Sequence, residues 1–305
     1  MLIALLVALA QQFDVQGQLV PAAQASVSLH GVTSPFHAST LAGLDGKFRF
    51  RKIDEGSYTL SVFLPGRGEV RKTIVVSPSH AGKDGRVMLA VRLDEMKISP
   101  EGGATVRMRE LKIPQKAWEE YRKADRKLGS RDIEAAEAHL RKALEIAPGF
   151  AAAWNHLGTI AYQTQRYEVA ESHFRKALEV DPDAYEPLVN LGGVLVTLHR
   201  DEEAWPYNVH AVLKKPQDPL AHSQLGMTYF GLGRMDLAEK HLLEAVRLDG
   251  AHFSHPQLLL AEIYLRKGER GKAADQLTHF LRLHPDYPNA AGIREAIRKL
   301  ESAPQ

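Results

Sequence analysis

Residues 150–182 read FAAAWNHLGTIAYQTQRYEVAESHFRKALEVDP, and the pattern of this stretch returns along most of the chain. Gly158 has counterparts at Ala124, Gly192, Gly226 and Ala261, and Ala170 has them at Ala136, Ala204, Ala238 and Ala273. Ala177 is matched by Ala143, Ala211, Ala245 and then Phe280; the closing Pro182 is matched by Pro148, Pro216, Gly250 and Pro285. Each series advances by 34, 34, 34 and 35 residues, which places one inserted residue between Gly250 and His255. Apolar residues recur with the helical period in both halves of a copy. Each copy therefore reads as two amphipathic helices of about 14 residues joined by a short turn such as Gln165-Arg166 or Gly233-Arg234. The small residue of the first helix is expected to face the first alanine of the second. The second alanine is expected on the next copy's first helix, and the proline ends the unit because it lacks a donor and clashes with the preceding turn. One such hairpin cannot bury its apolar face, so stacking supplies the core.

These residues resemble tetratricopeptide repeats, most clearly Ala153-Trp154-x-x-Leu157-Gly158 followed by Tyr162, Tyr167, Ala170, Phe174, Ala177 and Pro182. The resemblance implies an all-α solenoid of about five helix-turn-helix repeats over 115–285, capped by a helix within 286–305 (Asn289 to Leu300). The first copy departs from the pattern with Glu120 and Lys123 where Trp and Leu are usual, and Asn208 replaces an aromatic or leucine in the third. In such proteins the first helices line a concave, partner-binding wall. The matching positions here are Tyr121 and Leu128; Asn155, Thr159 and Tyr162; Val189, Asn190 and Val196; Gln224, Met227 and Phe230; Leu258, Glu262 and Leu265. That wall is mostly uncharged and suits a protein or peptide partner. A chaperone-tail carboxylate clamp is disfavoured, since among Asn155, Thr159, Asn190, Leu220 and Gln224 only Asn190 fits and no cation remains.

Before the repeats the period changes to two. Ala25–His30, Lys47–Arg51, Ser57–Val62, Thr73–Val76 and Val87–Leu93 read as short strands, separated by Asp45-Gly46, Glu55-Gly56 and Pro65-Gly66 turns. The spacing predicts a small antiparallel β-sandwich over 13–94, so the fold class is multidomain, β followed by α. Val15-x-Gly17, Asp45-Gly46-x-Phe48-x-Phe50 and Gly56-x-Tyr58-x-Leu60-x-Val62 resemble the carboxypeptidase regulatory-like, or transthyretin-like, sandwich, which implies an accessory module without chemistry. The lysine–asparagine cross-link of related adhesin modules is impossible, because no asparagine precedes Asn155.

Met1–Ala10 (MLIALLVALA) is too short for a bilayer span and reads with residues 1–12 as a signal-peptide-like segment cleaved before Gln11. That predicts export to the periplasm or cell surface, with membrane association only if the segment is retained. Residues 95–114 read as a linker, ending in an extended arm whose Arg107, Arg109 and Lys112 form a solvated basic streak.

The chain's 305 residues include no cysteine, which removes disulfides, thiolate metal sites and thiol nucleophiles. Net charge is +2, too balanced for a nucleic-acid binder. Residues 13–115 carry 14 basic and 10 acidic side chains and residues 116–305 carry 25 and 27, enough for weak attraction between the halves. His252-x-x-His255 lacks a third metal ligand and His199-Arg-Asp-Glu202 falls at a helix turn without any companion motif. Glu137 and Arg141 read as a solvated helical pair. No nucleophile elbow, phosphate loop or dinucleotide fingerprint occurs. The reading is a non-catalytic, cofactor-free scaffold of the bacterial-type envelope, the alternative being an accessory subunit of an envelope enzyme or assembly machine; no small-molecule substrate is evident.

Overall fold

The computed structural model describes residues 11–93 and 112–302. The N-terminal apolar run and the arm from Thr105 to Leu111 lie outside these residues. The first region holds strands β1 (Gln12–Val20), β2 (Ala25–Gly31), β3 (His37–Ala42), β4 (Lys47–Asp54), β5 (Gly56–Leu64), β6 (Gly68–Val76) and β7 (Arg86–Arg92). They form two sheets, ordered β4-β1-β7 and β3-β2-β5-β6. The alternation along the strands puts Val15, Val27, Leu29, Phe50, Leu60 and Val76 into one core between the sheets. Two expectations need correction. β1 and β7 run parallel, against antiparallel pairing everywhere else. β6 also starts at Gly68 rather than Thr73, and β3 was hidden because its polar sequence HASTLA shows no apolar alternation.

The glycine of Val15-x-Gly17 has a physical reason. Gly17 pairs with Phe48 across β1 and β4, and a Cβ there would come within 1.9 Å of the Phe48 ring. Tyr58 is buried and its hydroxyl donates to the Asp54 carbonyl at 2.9 Å, tying β5 back to the end of β4.

The second region is five helical hairpins and a last helix: α1 (Gln115–Gly129) with α2 (Ile133–Ile146), α3 (Ala151–Gln163) with α4 (Tyr167–Val180), α5 (Tyr185–Thr197) with α6 (Asp201–Lys214), α7 (Pro219–Gly231) with α8 (Met235–Leu248), α9 (Pro256–Arg266) with α10 (Arg270–Leu283), and α11 (Ala290–Ser302). Every hairpin turn repeats one backbone device. Arg131, Gln165, His199, Gly233 and Gly268 all have φ between 57° and 77°. In the second unit Arg166 N–H donates to Ala161 O at 2.8 Å and Gln165 N–H to Tyr162 O at 2.9 Å, which satisfies the carbonyls left open at the end of α3. The inserted residue, together with a later start of α9, lengthens the α8–α9 connection to Asp249–His255, where the preceding connection is Lys215–Asp218.

The repeat series make one further contact. In three units the small residue of the first helix lies against the residue sixteen positions on, a contact the spacing did not point to. A Cβ at Gly158 would lie 2.5 Å from Phe174, at Gly226 2.7 Å from Leu242, and at Gly192 1.9 Å from Asn208 Oδ1. The alanines Ala136, Ala170, Ala204, Ala238 and Ala273 are fully buried. The departing first unit is well formed. Glu120 is buried and accepts from Lys123 Nζ and His139 Nδ1, each at 2.7 Å, and these hydrogen bonds hold its carboxyl down to about 2. Glu137 is not solvated as expected: it is buried between Arg141, at 2.6 Å, and Arg166 of the next hairpin.

The two regions touch. The outer face of sheet β3-β2-β5-β6 lies along the inner wall of the helices. Arg131 reaches Asp54 Oδ2 at 2.7 Å and its guanidinium sits 5.1 Å from the Phe36 ring centre. Gln163 Nε2 donates to Gly31 O at 2.7 Å, Arg71 lies 3.6 Å from Glu186, Thr73 N–H donates to Asp249 Oδ2 at 2.9 Å, and Ser79 N–H donates to Asp286 Oδ2 at 3.1 Å. These contacts reach from the first helical unit to the last. Among the described residues the apolar clusters of the two regions stay separate.

Candidate functional site

The inner wall is built from α1, α3, α5, α7 and α9, because the small residues of these helices turn toward their hairpin partners and leave the opposite faces free. The sequence-predicted wall residues divide into three groups.

The first group packs inward. Leu128 and Val189 are buried, Val189 in a cluster with Tyr185, Leu188, Ala211 and Ala221. Tyr121 leans on Phe150 at 5.2 Å, Trp118 at 5.7 Å and His156 at 5.5 Å between ring centres. Val196 is half-buried against the core around Leu195. Tyr121 and Val189 hold the same register as Asn155, three residues before the small residue, so their local neighbours and not a slipped register set their burial.

The second group faces the protein's own sheet. Thr159, Tyr162, Asn190 and Gln224 line a cavity of about 670 Å³ whose far side is Thr59, Glu69, Arg71 and Thr73 of the β region. Neighbouring helices are linked here by polar side chains: Asn190 Nδ2 donates to Asn155 Oδ1 at 3.0 Å, and Tyr162 and Thr197 hydroxyls are 3.1 Å apart. Thr159 Oγ1 donates to Asn155 O at 3.1 Å. Gln224 sits where Gly193 leaves room, 2.3 Å from the position a Cβ would take, and its Oε1 is buried without a partner. Several charges around the cavity are paired. Arg71 pairs with Glu69 at 3.0 Å and Glu186 at 3.6 Å, while Lys215 lies 3.6 Å from Glu186 and 4.0 Å from the Tyr185 ring centre. Burial, followed by the nearby Asp218 carboxylate that accepts its hydroxyl at 2.9 Å, pushes the Tyr185 phenol up.

The third group faces solvent. Met227, Phe230, Leu258 and Glu262 line a second cavity of about 450 Å³ between α7 and α9, together with Pro256, Leu259 and Arg266. The Arg266 guanidinium lies 4.7 Å from the Phe230 ring centre and donates to Glu262 Oε1 at 2.8 Å, so the apolar floor has a charged rim. Leu265 is 45% exposed beyond it.

His252 is buried with Nδ1 2.7 Å from Ser254 Oγ, and His255 stacks edge-on to Phe280 and Tyr287. His199 is the left-handed residue of a hairpin turn. Sequence reasoning missed Gln163, Arg71, Asp218 and Asp249. The signal available was the opposite charge of the two halves, which pointed to an internal contact without naming its residues.

Two family models, each described as Tetratricopeptide repeat, match residues 121–204 and 221–252. Those stretches are tetratricopeptide repeats. MamA from Desulfovibrio magneticus RS-1 (residues 41 to the end) is 22% identical with a TM-score of 0.51, covering 57% of this chain and 97% of its own. PilW, titled a widely conserved type IV pilus biogenesis factor, is 22% identical with a TM-score of 0.52, covering 62% and 92%. Cut9-Hcn1 of the APC/C is 21% identical with a TM-score of 0.53, covering 62% and 37%. At these identities the likeness is one of fold. No curated protein matches the chain.

Proposed function

We propose that this chain is a non-catalytic scaffold that holds an extended segment of a partner protein along the inner wall of its tetratricopeptide repeats, in the bacterial-type cell envelope. The carrying observation is the cavity of about 450 Å³ at Met227, Phe230 and Leu258: an apolar floor, open to solvent and rimmed by Glu262 and Arg266. An aromatic residue and a methionine in such a place suit an apolar side chain of a docked segment. The amides of Asn155, Asn190 and Gln224 continue the wall with donors and acceptors suited to a main chain. The β region is the carboxypeptidase regulatory-like accessory module, and Met1–Ala10 the export signal.

Tyr162→Ala together with Phe230→Ala should weaken partner binding by at least about tenfold, or about 1.4 kcal/mol, with helical circular dichroism unchanged. A photoreactive group at Phe230 or Leu258 should cross-link the partner, and one at the exposed Leu213 should not. Equal affinity in the double variant moves the site off this wall. N-terminal sequencing of exported protein should begin at Gln11; a retained Met1 argues against cleavage.

A further inference from the structure

We propose that the β-sandwich is a releasable cover on the inner wall, so that the chain occludes its own groove between Thr159 and Gln224 until the sandwich leaves. Three stations hold the cover, beside the Arg71–Glu186 pair at 3.6 Å. Arg131 grips Asp54 Oδ2 at 2.7 Å and the Lys52 carbonyl at 3.3 Å at the first helical unit. Gln163 bonds Gly31 O at 2.7 Å in the middle, and Asp249 and Asp286 accept the Thr73 and Ser79 amides at 2.9 and 3.1 Å at the far end.

Several features make this contact one that can part. It is polar, and the apolar clusters on its two sides do not merge among the described residues, which is the character of transient rather than permanent domain contacts. A space of about 670 Å³ separates the facing walls over part of their length, so dispersion contact across it is small. Both carboxylates and both amides of the far station regain water on parting, which leaves no buried group unsatisfied. The sandwich core is complete without the helices, so release does not require it to unfold. Residues 94–111 supply 18 residues of connecting chain, a reach of at most roughly 60 Å.

The groove reading above supplies only the consequence of opening; the opening itself is measured without a partner. The chain has no cysteine, so single thiols can be placed at will. Asn190→Cys reports the covered wall and Met227→Cys the open cavity, each read by its rate of reaction with a bulky maleimide–polyethylene glycol. In the parent chain the Asn190→Cys thiol should react about tenfold or more slowly than the Met227→Cys thiol. Adding Arg131→Ala, Asp249→Ala and Asp286→Ala should speed the first by about tenfold or more and leave the second unchanged. Equal rates in the parent, or no acceleration in a variant of native helical content, overturn the proposal. If the triple variant loses helical content, Arg131→Ala alone takes its place, with acceleration at Asn190→Cys expected and its absence overturning the proposal. Failure of partner binding with acceleration intact would count against the scaffold reading and not against the cover.

Discussion

Asn208 occupies the position that Phe174 and Leu242 hold in the neighbouring units, against the small residue of the first helix. It is fully buried, donates to Thr228 Oγ1 at 2.9 Å, and leaves Oδ1 without a partner. An unsatisfied buried acceptor costs about 1–3 kcal/mol, and Thr228 already donates to Gln224 O at 2.8 Å. Asn208→Leu should therefore raise stability by about 1 kcal/mol, read as a higher urea midpoint at unchanged slope. The facing glycine carries the opposite prediction. Gly192→Ala drives a methyl to 1.9 Å from Asn208 Oδ1 and should cost about 1–3 kcal/mol, with part of the loss recovered in the Gly192→Ala/Asn208→Ala double variant. The repeat signature gave away that both positions are special. It did not reveal that they touch, since sequence spacing alone could not choose between sixteen residues on and twelve.

At the scale of elements, the helices were legible because a 34-residue period was visible in four residue series at once, and the strands because turn residues bracketed alternating runs. The left-handed turn series escaped notice, since Arg131, Gln165 and His199 carry no glycine to announce it. The α9–α11 end carries a titration that the His252-x-x-His255 spacing, weighed only for a metal, does not announce. Burial lowers the His255 and His284 imidazoles to about 4, His284 facing His255, His80 and Asp249. Both are near 6.5 when unfolded, so the unfolded chain binds protons first. The stability that goes with keeping these rings neutral is full above pH 6.5 and is lost as pH falls from 6.5 towards 4. Hydrogen exchange over 256–302, corrected for intrinsic rates, should accelerate at pH 5 relative to pH 7 more than exchange over 185–214, a segment without a buried histidine. His284→Gln should remove about 1–2 kcal/mol of that acid sensitivity, less than the full shift because part of it is repulsion shared with the neighbouring His255 and His80. Equal acceleration in parent and variant would locate the acid-sensitive groups elsewhere.

For the whole molecule, the decisive contact is the one between unlike parts. Period and turn chemistry each describe a region by itself, and nothing periodic links β6 to the Asp249–His255 connection or β3 to α1. Only the charge imbalance of the halves crossed that gap, and its expression is specific: Arg131 with Asp54, Arg71 with Glu186, and main-chain amides held by Asp249 and Asp286. Two cores joined by such polar contacts should not unfold as one. The helical units are coupled through shared apolar clusters and melt together by nearest-neighbour burial, whereas the sandwich gains from the helices only what the polar stations provide. Calorimetry should resolve two transitions. Arg131→Ala removes a partly exposed ion pair, a bond to the Lys52 carbonyl and a guanidinium–ring contact with Phe36, worth about 1 kcal/mol together. For a domain of this size that lowers the sandwich midpoint by about 4–8 °C, while the helical transition, whose α1–α2 hairpin keeps its own core, stays within error. A single transition that moves as a whole in the variant would mean that the two regions share one cooperative core after all.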